Sequence, residues 1–135
     1  MSVLIDSSVW INWIRSRVDP RPIIKPWVLK GACFTCGIIR LEVLRGIVDA
    51  KQRAKFEDLF DTFQHVALEK ELIDGATHRA WSLDRKGVVL GATDLLIAEC
   101  AIQRNSWLVT LDGDFKKIPG LRIRATLPNE AGSRN

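Results

Sequence analysis

The stretch Val3-Leu4-Ile5-Asp6-Ser7-Ser8-Val9-Trp10 decides how the chain is read. Val3 to Ile5 is a short apolar run rich in β-branched residues, and it ends on an acid. Ser7 and Ser8 are residue types that cap helices, and Val9, Trp10, Trp13 and Ile14 follow at helical spacing. A strand is therefore expected to hand over to a helix at Asp6, leaving a carboxylate at the strand's carboxyl end.

The same alternation continues outward from this start. Asp19-Pro20-Arg21-Pro22 predicts a break in any helix, a short helix fits residues 26–30, and Gly31 ends it before a strand over Ala32-Cys33-Phe34-Thr35. From Gly37 the spacing of Ile38, Ile39, Val43 and Leu44 predicts a helix that stops at Gly46, and a second helix over residues 50–63 carries Phe56, Leu59, Phe60 and Phe63. His65 to Leu68 reads as a third strand, and residues 70–86 as a longer amphipathic helix. Thr93 is placed to cap a helix over 94–104, Trp107 to Thr110 is the clearest late strand, Asp112-Gly113-Asp114 is rich in turn residues, and Leu121 to Ala125 adds a last strand. Strands alternating with helices predict a parallel sheet covered on both faces, with ligands gathering at the strands' carboxyl ends.

With 135 residues the chain is the size of one domain and can bury a core without staples. Its mean hydropathy is +0.02, and no apolar run approaches the roughly 20 residues of a membrane helix. The start lacks a basic, then apolar, leader pattern, so a soluble cytoplasmic protein is expected. Three cysteines, Cys33, Cys36 and Cys100, are an odd count that argues against a disulfide framework. A formal charge of +4 and a pI near 9.2 favour polyanions without identifying one.

The acids carry the chemistry. If the strands before Asp6 and Asp112 are central and parallel, both carboxylates enter one crevice. Asp94 opens a helix and shares the face of Ile97, Ala98 and Ala101, and Glu42 follows Ile38 and Ile39 by a turn, so both stand in apolar company. Such a group stays ionised only with compensating cations, and hard oxygen donors suit magnesium or manganese. Taken singly, each acid has a plain reading. Asp6 and Asp94 favour helix starts, Glu42 can pair with Arg40 or Arg45, and Asp112 with Asp114 can simply form a turn.

In combination, LIDSSVWI, IIRLEVLRG, GATDLLIAECA and LVTLDGDF resemble the four acidic blocks of VapC-type PIN domains, over residues 2–117. The resemblance implies a PIN-like α/β/α sandwich around a mainly parallel sheet, spanning 1–127 with a disordered tail at 128–135. It further implies a magnesium- or manganese-dependent endoribonuclease that is the toxin of a type II toxin–antitoxin pair, a homodimer, and a cognate VapB-type antitoxin that binds operator DNA. Carried over by motif, Asp6, Glu42, Asp94 and Asp112 are the catalytic acids. Asp6, Asp94 and Asp112 hold metal, and Asp114 shares or replaces the role of Asp112. Ser7, Ser8 and Thr110 stand where hydroxyls can orient water or phosphate. In the mechanism this implies, hydroxide attacks phosphorus in line, the 3′-oxygen leaves, and a 5′-phosphate results. Arg15, Arg40, Arg45, Lys116 and Lys117 are candidates for steering RNA phosphates.

Other readings fare worse. A haloacid-dehalogenase-like phosphatase needs a second Asp two residues after the first, where this chain has Ser8. A non-catalytic nucleic-acid- or protein-binding module would be marked by lost acids, and all four are present. Cys33 and Cys36 have zinc-like spacing without a second pair and are expected to be buried thiols, while His65 and His78 lie outside the acidic blocks. Trp10, Trp13 and Trp81 fit core packing or a dimer surface better than base stacking.

Overall fold

Strand β1 (Val3–Ile5) forms the middle of a five-stranded sheet, and all three of its residues are fully buried. A strand covered on both faces by helices must be apolar throughout, which is why Val-Leu-Ile shows no alternation. The computed structural model describes residues 1–128. Helices α1 (Ser7–Arg15) and α2 (Arg21–Leu29) lead to β2 (Cys33–Cys36), and α3 (Gly37–Leu44) and α4 (Ala50–Asp61) lead to β3 (Gln64–Val66). Helices α5 (Lys70–Arg85) and α6 (Ala92–Gln103) lead to β4 (Trp107–Val109), and a 3-10 helix, Gly113–Lys117, precedes β5 (Ile123–Arg124). The strand order is β3-β2-β1-β4-β5 and every pairing is parallel.

This order positions the site. The chain moves outward on one side of β1 through β2 and β3, then crosses back to β4 on the other side. Right-handed crossovers therefore place α1 to α4 on one face and α5 and α6 on the opposite face, giving three layers. The loops after β1 and β4 leave in opposite directions and open a crevice between them at the carboxyl edge. Val3, Leu4 and Ile5 pair with Trp107, Leu108 and Val109, so Asp6 and Thr110 come out level with each other.

The α1–α4 side is held by an aromatic cluster. The buried Trp10 ring lies 5.0 Å from Phe60, 5.6 Å from Phe63 and 5.2 Å from Trp13, and its Nε1 donates to the Ile5 carbonyl at 3.2 Å. That bond satisfies the indole in the core and ties α1 back to the strand that carries Asp6. Trp81 is instead 58% exposed.

Several local expectations are corrected. The Asp-Pro-Arg-Pro segment starts a helix. Pro20 is the residue at the cap of α2, and Pro22 lies in the first turn, where its missing N–H would have had no partner anyway. Pro26 sits inside the helix, so α2 covers Arg21–Leu29 and exceeds the short piece expected at 26–30. Ser7 and Ser8 are within α1 rather than capping it, because the cap position falls on Asp6. Thr93 is likewise inside α6, whose cap position is Gly91. The turn expected at 112–114 opens the 3-10 helix. The remaining strands and helices lie within a few residues of expectation. Gly31 is at φ +64, the left-handed turn between α2 and β2, and a Cβ there would stand 3.1 Å from Gln64 Nε2. Of the tail expected over 128–135, Pro128 is buried and the remainder lies outside the described residues. Among the described residues no helix is long and apolar enough to cross a membrane.

The spacing of Cys33 and Cys36 puts their side chains on opposite faces of β2, so they form no pair. All three cysteines are free and buried. Burial pushes the Cys33 thiol up to about 12, and Cys36 interacts across the core with Cys100 of α6, which lowers the first thiol and raises the second.

Thr35 on β2 is fully buried and its hydroxyl has no partner among the described residues. An unpaired buried hydroxyl carries a desolvation penalty of about 1–3 kcal/mol. Thr35→Val keeps the shape and removes the penalty. It is expected to stabilise the fold by about 1 kcal/mol in urea unfolding, whereas a loss of stability would mean the hydroxyl is bonded after all.

Candidate acidic active site

Asp6 leaves the end of β1 with its backbone N–H donating to the Val109 carbonyl at 2.9 Å, so the sheet ladder fixes it across to β4. Its side chain is 4% exposed. Two hydroxyls from opposite sides of the crevice donate to one and the same oxygen: Ser8 Oγ to Oδ2 at 2.8 Å and Thr110 Oγ1 to Oδ2 at 2.9 Å. The two hydroxyls are 3.3 Å apart. Each is itself held, Ser8 Oγ by the Leu111 N–H at 3.0 Å and Thr110 Oγ1 by the Asp112 N–H at 3.0 Å. Asp6 is thus fixed through Oδ2, and no hydrogen bond to Oδ1 is formed among the described residues.

The other acids gather around this point. Glu42 projects from α3, half-buried, and its Oε1 accepts from Ser7 Oγ at 3.2 Å, which ties α3 to the residue after Asp6. The plain reading of Glu42 as the partner of Arg40 does not hold, since Arg40 pairs with Asp61 on α4 at 2.7 Å. Asp94 stands in the first turn of α6 and is half-buried. Asp112 is half-buried at the start of the 3-10 helix, and its Oδ1 accepts the Asp114 N–H at 2.9 Å. Asp114 is exposed and its carboxylate pairs with Lys117 at 3.2 Å, so within this block Asp112 stands inward and Asp114 at the rim.

The electrostatics record the clustering. A helix N-terminus favours an anion, yet the Asp94 carboxyl is held above the usual aspartate value, first by loss of water around it and then by the charges of Asp112, Asp6, Glu42 and Asp114. Five carboxylates from four separate parts of the chain therefore meet at Asp94. Their donors are all carboxylate oxygens, the set that suits a hard divalent cation, and a cation would relieve the repulsion at Asp94. Among the described residues, no three His, Cys, Asp or Glu side chains are arranged as a ready-made metal site. Among the described residues the acids share a crevice without closing on one point.

Ser7, Ser8 and Thr110 all contact the acids, as their positions implied, but through different partners: Ser7 reaches Glu42, while Ser8 and Thr110 reach Asp6. Sequence reading passed over Glu99, a 4%-exposed acid on α6. Its Oε2 accepts from Arg79 Nε of α5 at 2.8 Å and its Oε1 from Gln103 at 3.2 Å, so it locks α5 to α6 and stays apart from the cluster. The signal was available, since Glu99 is as isolated among apolar neighbours as Asp94 is. His65 and His78 are exposed and take no part.

Comparison with known proteins agrees with this architecture. The sequence profile of the PIN domain family matches residues 3–121. A ribonuclease VapC from Rickettsia bellii is 27% identical over 131 residues, covering 91% of this chain and 95% of that one. Among solved structures, a VapBC complex from Rickettsia felis, bound to a DNA fragment from its promoter, superposes with a TM-score of 0.76 at 22% identity, over 92% of this chain and 98% of that one. A VapBC complex from nontypeable Haemophilus influenzae gives 0.72 at 21% identity, over 92% and 97%. At these identities the superpositions establish the fold.

The repulsion at Asp94 has a stability consequence whose sign is fixed. A carboxyl raised on folding holds its proton more tightly in the folded protein, so the penalty is absent below the ordinary aspartate range and complete above the raised value. Asp94→Asn is expected to raise Tm near neutral pH in EDTA. The gain should fade as the pH drops through about 4. Thermal unfolding across pH checks this, and a gain independent of pH would show that charge is not its source.

Proposed function

The chain belongs to the PIN domain family, and we propose that it is a divalent-metal-dependent endoribonuclease that serves as the toxin of a VapBC-type toxin–antitoxin pair. The observation that carries this reading is the convergence of Asp6, Glu42, Asp94 and Asp112 on the crevice between β1 and β4, expressed in the raised Asp94 carboxyl. The name and near-complete coverage of the Rickettsia bellii relative support ribonuclease chemistry, and the VapBC complexes support a VapB-type antitoxin as partner. A cytoplasmic homodimer completes the reading, with the exposed Trp81 and Leu41 available as apolar surface for a second copy.

Asp6, Asp94 and Asp112 are the residues that would hold magnesium or manganese, with Glu42 beside them and Asp114 at the rim. The metal, when bound, supplies charge neutralisation at phosphorus and a water acidic enough to attack it at neutral pH. The protein's own contribution is placement. Ser8 and Thr110 hold Asp6 Oδ2 so that Oδ1 is the oxygen offered to the crevice. Ser7 holds Glu42 toward the same space, where it can accept a proton from an attacking water. The half-buried setting of Asp94 reduces the water around it and strengthens its interaction with neighbouring charge. In a phosphatase of the haloacid-dehalogenase kind the position of Ser8 would be a second acid; here it serves as a hydroxyl support for the first.

Purified protein, freed of any antitoxin, is expected to cleave total RNA in magnesium or manganese and not in EDTA. Asp6→Asn and Asp94→Asn should abolish cleavage while remaining folded. Removing both hydroxyl supports, Ser8→Ala with Thr110→Val, should lower activity about 10- to 100-fold, the usual cost of losing groups that orient a metal ligand. Cleavage that persists in EDTA, or hydrolysis of a small phosphoester lost in Asp6→Asn, would refute the nuclease reading.

A further inference from the structure

At the opposite end of the strands from the acids, the amino edge of the sheet carries a second concentration of chemistry that the acidic site does not use. A concavity of about 530 Å³ opens there between Phe34 of β2 and Trp107 of β4, with Ser2, Asn105 and Arg122 on its polar side. Both rings are only partly buried. Three guanidinium groups stand over them. Arg104 lies 5.8 Å from the Phe34 ring centre, and Arg122 and Arg124 lie 5.1 and 5.4 Å from that of Trp107. Arg122 precedes β5 and Arg124 ends it, level with Val109, and standing two residues apart they share a face and flank the same ring. Arg122 Nη2 also donates to the Asn105 carbonyl at 2.6 Å and to its side-chain Oδ1 at 2.9 Å, which fixes the fork beside the concavity.

None of the three arginines forms an ion pair with a carboxylate among the described residues. Near the acids, Arg40 is taken up by Asp61 and Lys117 by Asp114. The crevice itself is lined with negative charge, which repels a polyanion until a cation is present. Uncompensated positive charge with aromatic surface beside it is therefore present at the amino edge.

Resting on the ribonuclease reading, we propose that this edge is a second RNA-docking surface, taking an unstacked base against Trp107 with the neighbouring phosphates on Arg122 and Arg124, and continuing around the edge to Phe34 and Arg104, which the register places on the opposite face of the sheet. Aromatic rings and guanidinium planes are the stacking platforms that single-stranded RNA uses, and unpaired arginines supply the backbone contacts. Because the two surfaces face opposite ends of the strands, an RNA that engages both must wrap around the domain. A folded RNA presenting a loop to each surface is then favoured over a short linear one, which makes this edge a determinant of which RNA is cut.

The test is binding in EDTA, where cleavage is silent, read by fluorescence anisotropy with a labelled single-stranded RNA of mixed sequence over a range of salt. Replacing Arg104, Arg122 and Arg124 together by Gln is expected to weaken binding about tenfold or more. The slope of log K against log salt should fall by about 2, as for three lost phosphate contacts on a single strand. Replacing the same three by Lys, which keeps the charge, should restore most of the salt slope but not all of the affinity. Equal affinity and slope for wild type and the Gln variant, both shown folded by circular dichroism, would overturn the proposal. So would an effect confined to duplex DNA or to an acidic peptide tested in the same way. Since the readout is equilibrium binding, it stands or falls separately from RNA cleavage and its loss in Asp6→Asn.

Discussion

Two hydroxyls donate to one oxygen of Asp6, and the candidate site is organised around that carboxylate. Ser8 comes from the helix that follows β1, and Thr110 from the end of the neighbouring strand. The pair closes the crevice created where the strand order turns back on itself. It can do so because β1 and β4 are in register, so that Asp6 and Thr110 emerge side by side. The same residues pass the constraint on: Leu111 N–H holds Ser8, Asp112 N–H holds Thr110, and Ser7 holds Glu42. One buried anion thereby sets the positions of a helix start, a strand end and the turn that carries the last acid. Asp6 is buried, so losing either hydroxyl would leave its Oδ2 short of a partner.

The rest of the fold serves this point from a distance. Trp10 anchors α1 to the Ile5 carbonyl and to the phenylalanines of α4, so the helix that begins at Asp6 cannot drift. Glu99, bonded to Arg79 and Gln103, holds α6 against α5 and thereby holds Asp94 at the crevice. A Cβ at Gly75 would stand 2.5 Å from Glu99 Oε1, so a larger residue there would push that carboxylate aside. What the packing does not do is bring the acids onto a single point. Loss of water around Asp94, and then the charges of the neighbouring acids, hold its carboxyl above the ordinary aspartate value.

Much of this was legible in the sequence because its signals are local. An apolar run ending in an acid marks Asp6 and the block before Asp112, and an acid isolated on an apolar helical face marks Asp94 and Glu42. The illegible parts depend on context that no short window contains. Helix α2 was hidden because a proline is a helix breaker only beyond the first turn, and nothing local says where the first turn falls. Ser7, Ser8 and Thr93 read as caps by residue type, whereas the backbone turns one or two residues earlier, at Asp6 and Gly91, and releases the serine hydroxyls to hold acids. Cys36 and Cys100 meet only after α6 has packed on the sheet, and their separation along the chain gives no hint of it. Asp112 and Asp114 are set apart by a backbone bend that leaves one acid half-buried and pairs the other with Lys117, a difference no short window shows.

Titrating manganese into the protein by calorimetry, beside Asp6→Asn, tests most directly whether the gathered acids exist to hold a cation. Binding at the intact crevice is expected, at least tenfold weaker in the variant. Manganese binding of equal strength in both proteins, or none in the folded wild type, would contradict it.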